Sequence, residues 1–404
     1  MAIKKKKPEL LAPAAGWPSL RAAVSSGADA VYFGVSKLNM RANAKNFSLA
    51  ELRKIVEFCH ENNVKAYLAV NTIVYESELS NLRKILKKAK EANIDAVILW
   101  DIAVLEEAKK LKLNIHLSTQ ASVANSSSAE FYRKLGVERV ILARECTLKQ
   151  IKKIKSNTKI EVETFVHGAM CVSVSGRCFL SQEIFGRSAN RGDCLQPCRR
   201  EYIIKDADEG YNLLLGKDYV MSPKDLCALP FIGDLIKAGI DGFKIEGRNR
   251  SPEYVMAVTS AYRGAIDDYF AGKLTKKKIE EYLEKLKEVY NRGFSSGFYI
   301  GMPTAKDFTH SYGSKASTRK KYIGFVKNYY KKVGVAEIKL EAGSMKKGDS
   351  LLIIGNKTGV AEEKADSMQI KKKGVEKAEK GLSVGIKTKN ILRKNDRVYI
   401  MSGR

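Results

Sequence analysis

Four cysteines fall close together at Cys171, Cys178, Cys194 and Cys198, in a run that opens Glu163-Thr-Phe-Val-His167-Gly-Ala-Met-Cys171 and closes Gly192-Asp-Cys194-Leu-Gln-Pro-Cys198. Their spacing, C-x6-C-x15-C-x3-C, lies among Gly, Ser and Arg with neither a helical nor an alternating period, which is not the setting of buried core cysteines. Thiols gathered in this way hold metal. Zinc sites usually carry C-x2-C knuckles or His ligands at short spacing, and the segment has neither. Iron–sulfur clusters take four thiolates at more varied spacing, from separate loops. The C-x3-C-x2-C arrangement of radical enzymes is absent. The chain has seven cysteines, an odd number in a large protein without an export signal, which favours metal or redox chemistry over a disulfide framework. Cys227 is a fifth candidate ligand, an alternative to Cys198.

Other side chains surround these thiols with acid–base and anion-binding chemistry. The unperturbed pKa of an imidazole lies near neutrality, so His167 suits a proton donor or acceptor, or simply a hydrogen-bonded turn. Glu163 reads as a buried carboxylate, structural or acidic. Lys244, Glu246 and Arg248 alternate along one strand and so share a face, where Arg248 can present a bidentate fork to a small dicarboxylic acid. An internal Lys244–Glu246 ion pair is the plainer reading of the first two. Arg177, Arg187, Arg191, Arg199 and Arg200 crowd the cysteine segment and suit anion binding.

These residues need a scaffold. From residue 9 onward short β-branched runs alternate with amphipathic stretches, the pattern of βα units on a parallel sheet. Strands are expected at Glu9–Pro13, Ala30–Val35, Lys65–Asn71, Ala96–Asp101, Asn114–Gln120, Arg139–Glu145, Ile160–Val166 and Gly242–Glu246, with Tyr219–Ser222 as an insertion strand. Helices are expected between them, with Ser48 and Ser126 as N-caps. The phrase Gly27-Ala-Asp-Ala-Val-Tyr-Phe-Gly34 returns at Ala92–Leu99 and Ala238–Ile245, each a helix end turning into a buried strand. In a closed (β/α)8 barrel the strand C-termini form the active face, and Asn71, Asp101, Gln120, Arg144, Glu145, His167, Glu246 and Arg248 all fall there. Asn71, Gln120, Arg144, Arg177 and Arg248 are the expected substrate-binding residues; His167, Glu163, Lys244 and Glu246 are the expected catalytic ones.

After two helices over 252–292 and a linker over 301–320, the texture changes to short strands with Gly-Asp and Gly-Asn turns, the mark of a small β-barrel over 321–404. Residues 301–404 hold 24 Lys and Arg against 10 Asp and Glu, so they carry +14 of the chain's +27. Such an excess favours nucleic acid through phosphate neutralisation, although a lysine-rich solvated surface has the same composition. Lys320, Lys321, Lys331, Lys332 and Lys371–Lys373 interleave with Tyr322, Tyr329 and Tyr330, a pattern that fits phosphate tracking with base stacking. No apolar run is long enough for a transmembrane span, and MAIKKKKPELLAPA lacks the core of a signal peptide, so a cytoplasmic protein is expected.

Glu-Leu-Leu-Ala-Pro-Ala at the start, Gly-Ala-Asp-Ala-Val-Tyr-Phe-Gly, Ser118-Thr-Gln120, the cysteine segment, Ser222-Pro-Lys-Asp-Leu-Cys227 and Lys244-Ile-Glu-Gly-Arg248 together closely resemble the signature of peptidase family U32, the collagenase-like proteases. The resemblance implies an α/β fold, a TIM-like (β/α)8 barrel over 1–300, followed by a C-terminal β-barrel similar to one in elongation factor Tu. It implies a 4Fe-4S cluster on Cys171, Cys178, Cys194 and Cys198. It further implies oxygen-independent hydroxylation of a tRNA uridine or rRNA cytidine, with prephenate as co-substrate and oxygen source. A peptidase is the alternative that the family name carries, yet the sequence shows no nucleophile elbow and no H-E-x-x-H. A non-catalytic RNA-binding accessory protein is the other. The RNA, the nucleotide and the oligomeric state are left open.

Overall fold

The computed structural model describes residues 6–35, 37–43, 45–200, 203–205, 207, 208, 210, 212–214, 221–309 and 313–404. The first half runs β1 (Glu9–Pro13), α1 (Trp17–Ser25), β2 (Ala30–Phe33), α2 (Leu52–Glu61), β3 (Lys65–Val70), α3 (Leu79–Glu91), β4 (Ala96–Leu99) and α4 (Ile102–Lys110). It continues through β5 (Ile115–Leu117), α5 (Ser126–Lys134), β6 (Arg139–Ile141), α6 (Leu148–Ser156) and β7 (Glu161–Gly168). An insertion follows, with α7 (Leu180–Phe185), a hairpin of β8 (Ile203–Lys205) and β9 (Asn212–Leu214), and β10 (Asp225–Cys227). Then α8 (Ile232–Lys237) leads into β11 (Gly242–Ile245), and α9 (Pro252–Phe270), α10 (Lys276–Glu288) and β12 (Phe294–Ser295) complete the domain.

Strands β1 to β7 pair in parallel in sequence order, and β11 pairs in parallel with both β7 and β1, which closes the barrel with eight strands. The expected eighth strand is therefore the closing one. Of the expected insertion strand at Tyr219–Ser222, the first two positions lie outside the described residues, and Met221 and Ser222 belong to no strand. Instead β10 pairs antiparallel with the end of β7, Leu226 opposite Gly168 and Cys227 opposite His167. No periodicity marks three residues of this kind.

The repeated phrase has a physical reason. Each copy ends a helix on a left-handed residue, Gly27, Asn93 or Gly239, that admits a positive φ. Two residues later an aspartate caps the neighbouring strand: Leu10 N–H donates to Asp29 Oδ2 (2.8 Å), Ala66 N–H to Asp95 Oδ2 (2.7 Å) and Val162 N–H to Asp241 Oδ2 (2.8 Å). The strands themselves are buried on both faces, as Ala30–Phe33 is throughout, so they read as continuous apolar runs. Helices cover them with one apolar stripe, for example Leu82, Ile85, Leu86 and Ala89 in α3. Ser48 caps the turn before α2 in a capping box with Glu51. The cap of α5 is Asn125 rather than Ser126, because the Asn125 side chain accepts from Ser128 N–H (2.8 Å).

The second domain comprises β13 (Thr318–Tyr330), β14 (Val335–Leu340), β15 (Met345–Lys346), β16 (Ser350–Gly355), β17 (Gly359–Lys364), β18 (Met368–Ile370), β19 (Lys373–Gly374), β20 (Lys377–Ala378), β21 (Ser383–Lys387) and β22 (Arg397–Gly403). Eight of these form one antiparallel sheet in the order β17-β16-β22-β13-β14-β21-β18-β19 around a separate apolar core that includes Ile323, Ile338, Leu351 and Val398. Among the described residues no pairing joins its two edge strands, so it is a wrapped antiparallel sheet rather than a hydrogen-bonded closed barrel. Strand β13 begins at Thr318, inside the stretch expected to be linker. The domain sits on the barrel's outer helices: Arg21 Nε–H donates to Asn356 O (2.9 Å), and Lys320 pairs with Glu253 of α9 (2.5 Å).

Phe243 in the closing strand β11 is fully buried. Phe243→Ala is expected to cost about 3–5 kcal/mol, read as a lower urea midpoint with an unchanged slope.

Candidate functional site

A cavity of about 270 Å³ opens at the C-terminal ends of the barrel strands and is lined by all four of Cys171, Cys178, Cys194 and Cys198. The same cavity is lined by Asn71 and Gln120 from the ends of β3 and β5, Arg144 beyond β6, and Lys244, Glu246 and Arg248 from β11 and its extension. A larger hollow of about 590 Å³ lies at the opposite end among Lys65, His116 and Arg139. That end is a barrel's stability face, and its arginine is already engaged by Glu9, Glu161 and Glu163. The candidate site residues gather at the cysteine end.

The floor of the cavity is polar and ordered. Asn71 Nδ2–H donates to Ser118 Oγ (3.2 Å) and Gln120 Oε1 (3.3 Å), and Asn71 Oδ1 accepts from Met40 N–H (3.2 Å). Lys244 Nζ donates to Glu163 Oε1 (3.1 Å) and lies over the Tyr32 ring at 4.4 Å. Burial lowers the Lys244 ammonium pKa, and the Glu163 carboxylate offsets this only in part. Glu246 is also buried, which alone would raise its pKa; Arg41, Arg250 and Arg144 override this and keep it an anion. Arg41 Nη2 reaches Glu246 Oε1 at 3.0 Å. Arg248 donates to Asn39 Oδ1 (3.0 Å), and burial lowers its guanidinium to about 10. Arg144 donates to Ala169 O (2.5 Å) with its guanidinium over Phe165 at 3.9 Å. Among the described residues neither Arg144 nor Arg248 has a carboxylate within ion-pair distance.

Arg41 and Tyr32 carry no mark in the sequence. Arg41 lies in the loop after β2, and only the fold shows that this loop turns inward; Tyr32 sits inside a strand that is apolar on both faces. Two expected catalytic residues do not line the cavity. Glu163 is fully buried beneath it, between Lys244 and Arg139 Nη1 (3.2 Å). His167 is turned away because β7 and β11 slip by one residue: Lys244 opposes Phe165, yet Ile245 opposes His167. The slip puts His167 against Tyr254, Tyr262 and Phe294 rather than inside the barrel. Arg177 also stays outside the lining and donates to Gln120 O, with its guanidinium 5.0 Å from the Trp100 ring.

The cysteine segment itself is irregular, with Ser175 and Gln196 in left-handed conformations. Gly192 packs so closely on the 39–42 loop that an added Cβ would stand 2.1 Å from Asn39 O. Three thiols accept the backbone N–H two residues on: Cys171 from Ser173 (3.5 Å), Cys178 from Leu180 (3.4 Å) and Cys194 from Gln196 (3.3 Å). Among the described residues no three His, Cys, Asp or Glu are gathered as one metal ion requires. A multi-iron cluster, which takes each thiol on a different iron, fits an all-sulfur donor set spread round one cavity. Cys227 is elsewhere: it is buried in β10, where Tyr262 O–H points to its sulfur at 3.9 Å.

Burial lowers the His167 pKa to about 4 against an ordinary 6.5. The fold thus favours neutral imidazole, a contribution that is whole above pH 6.5 and disappears as pH falls towards 4. Thermal unfolding across that window should show an acid-side loss on the order of 3 kcal/mol from this group, which His167→Gln removes.

Comparison with known proteins places this architecture. The sequence model of peptidase family U32 matches residues 15–309. A protein of Methanocaldococcus jannaschii named an uncharacterized protease is 48% identical over 97% of this chain and 98% of its own length. A collagenase of Porphyromonas gingivalis is 40% identical over 97% of each chain. The tRNA hydroxylation protein P1 of Bacillus subtilis is 37% identical over 87% of this chain and 84% of its own. The chain belongs to peptidase family U32.

Proposed function

We propose that the protein is an iron–sulfur enzyme that hydroxylates a pyrimidine of tRNA or rRNA at C5 without molecular oxygen. The observation that carries this reading is the sharing of one cavity by four cysteines and by two arginines, Arg144 and Arg248, that lack carboxylate partners among the described residues. Cys171, Cys178, Cys194 and Cys198 would hold the cluster, which when bound supplies one-electron redox chemistry. The remaining work falls to the chain. Arg144, Arg248 and Arg41 supply the positive charge that a small dicarboxylic acid such as prephenate requires. In the overall conversion a C5–H bond becomes C5–OH, a two-electron oxidation matched by the two-electron reduction of the bound acid, whose C–O bond breaks as it gives up the oxygen and which takes hydrogen in its place. Lys244, whose proton is loosened by burial, is the group placed to protonate an oxygen of that acid.

RNA fits the rim of the mouth. Phe179, next to Cys178, is 72% exposed, and Tyr75 after β3 and Val174 in the cysteine segment are exposed as well. Arg191 lies 4.5 Å from the Tyr75 ring, and Arg200 lies 4.6 Å from the Phe185 ring. Apolar side chains mixed with stacked guanidiniums receive unpaired bases and their phosphates. The relatives named for tRNA hydroxylation, and a 23S rRNA 5-hydroxycytidine synthase of Escherichia coli that is 38% identical over 66% of this chain, agree with that substrate class.

The peptidase reading has less behind it. Among the described residues a thiol and an imidazole come together at Cys227 and His167, bridged by Tyr262 O–H at 3.9 and 3.4 Å. Both are buried. Burial pushes the thiol up to about 11 and the imidazole down to about 4, the reverse of an activated pair.

Nucleoside mass spectrometry of tRNA and rRNA from a deletion strain should show the loss of one 5-hydroxypyrimidine; an unchanged profile would sink the proposal. Protein purified without oxygen should be brown, and Cys198→Ala should lose that visible absorbance and its bound iron while Cys227→Ala keeps both. Retention by Cys198→Ala with loss in Cys227→Ala would reverse the assignment of the fourth ligand.

A further inference from the structure

Of the three tyrosines that the sequence offered as stacking platforms in the second domain, Tyr329 packs against the apolar core and the hydroxyls of the other two are engaged. Tyr322 O–H donates to Glu341 Oε2 (2.5 Å), and Tyr330 O–H donates to Glu337 Oε2 (3.1 Å). What stays free is charge, and it collects at one end of the sheet. The β13–β14 turn carries Lys331 and Lys332 beside the end of β21, where Val335 pairs with Lys387 and Thr388 N–H donates to Gly334 O (2.9 Å). The stretch leading into β22 folds onto the same end of β13, Asn395 N–H donating to Val326 O (2.8 Å), and adds Lys389, Arg393 and Lys394.

Lys331, Lys332, Lys387, Lys389 and Lys394 are exposed, and none has a carboxylate partner among the described residues. The nearby acids face other duties. Glu363 accepts from Lys389 N–H (3.0 Å) and Asn390 N–H (2.7 Å); Asp396 accepts from Arg393 N–H (2.7 Å); Glu337 holds Lys327 (2.8 Å). The positive field continues onto the barrel wall. Arg21 of α1 lies over Phe58 at 4.5 Å, and its guanidinium is lowered first by burial and then by the charge of Arg393. Arg21, tied to Asn356 O of the second domain, thus extends the positive charge of that end onto α1.

We propose that this basic end of the C-terminal domain, extended by Arg21, docks the sugar–phosphate backbone of a base-paired RNA segment, separately from the mouth that receives unpaired bases. The inference rests on the RNA reading above and adds where the helical part of the substrate lies. Ammonium groups without free aromatic neighbours suit phosphates rather than bases, and a row of them set by strand pairing suits a regular backbone. The substrate then needs a duplex beside its reactive loop.

The test uses the full-length protein and a labelled blunt RNA duplex, read by fluorescence anisotropy across a salt series. Changing Lys331, Lys332, Lys387, Lys389 and Lys394 together to Ala should weaken duplex binding by more than about tenfold and flatten log K against log salt by about 0.9 for each phosphate that is no longer neutralised. The matching change of all five to Arg should restore both. An unaltered affinity and slope in the Ala variant, with its melting temperature unchanged, would overturn the proposal. So would an unaltered duplex affinity with lost binding to phosphatidylserine vesicles, which would make the surface a membrane contact. Loss of duplex binding beside an unchanged nucleoside profile in the deletion strain would uphold the docking surface and sink only the hydroxylation.

Discussion

The carboxylate of Glu163 has no access to water, and the arrangement of the barrel follows from how it is neutralised. One oxygen takes Lys244 from the closing strand, the other takes Arg139 from β6, and Arg139 reaches further to Glu9 of β1 (2.5 Å) and to Glu161 (2.7 Å). Four strands on either side of the closure are thus tied inside the barrel by one line of alternating charge. Removing a member would strand a buried ion, a loss of about 3–5 kcal/mol. The same line fixes the height of Lys244, so that its ammonium meets Tyr32 at the floor of the cavity.

Above that floor the chain abandons regular structure, and arginines replace the hydrogen-bond ladder. Arg199 donates to Met170 O, Ser222 Oγ (2.9 Å) and Pro223 O (3.2 Å); Arg191 reaches Ile73 O and Glu78; Arg177 reaches Gln120 O. These bonds lash the cysteine loop to strand ends that are far apart in sequence. Each guanidinium carries five N–H donors in a rigid fork, so one residue can satisfy several carbonyls at once. Most of the arginines that crowd the thiols in sequence therefore serve as staples. Positive charge lining the cavity comes in addition from Arg41 in the loop after β2, Arg144 beyond β6 and Arg248 beyond β11.

The barrel was legible because its signals are local. A buried parallel strand is an apolar run, a helix end is a Gly or Asn, and the capping aspartate recurs at Asp29, Asp95 and Asp241. The convergence of Asn71, Gln120, Arg144, Lys244, Glu246 and Arg248 also followed, since strand ends in a barrel must meet. What the sequence hid was non-local. The one-residue slip beside Val166 that turns His167 outward arises from the pairing of two strands about eighty residues apart. Arg41 lies in a loop whose path depends on Gly192 packing beneath it. In the second domain, composition revealed the charge, but only the strand order reveals that Tyr322 and Tyr330 are tied to glutamates while five lysines share one end.

The choice between Cys198 and Cys227 follows from the same distinction. Both are cysteines in the right region, and spacing alone leaves them level. Cys227 stands opposite His167 in a strand pairing, and its sulfur lies in a dry layer between β10 and α9 with the Tyr262 hydroxyl turned towards it. Reaching the cavity would require that pairing to break, while Tyr262 O–H would keep its bond to Val166 O (2.7 Å). Cys198 lines the cavity with the other three thiols, in the single turn Pro197–Arg199. The weight of backbone that would have to move favours Cys198.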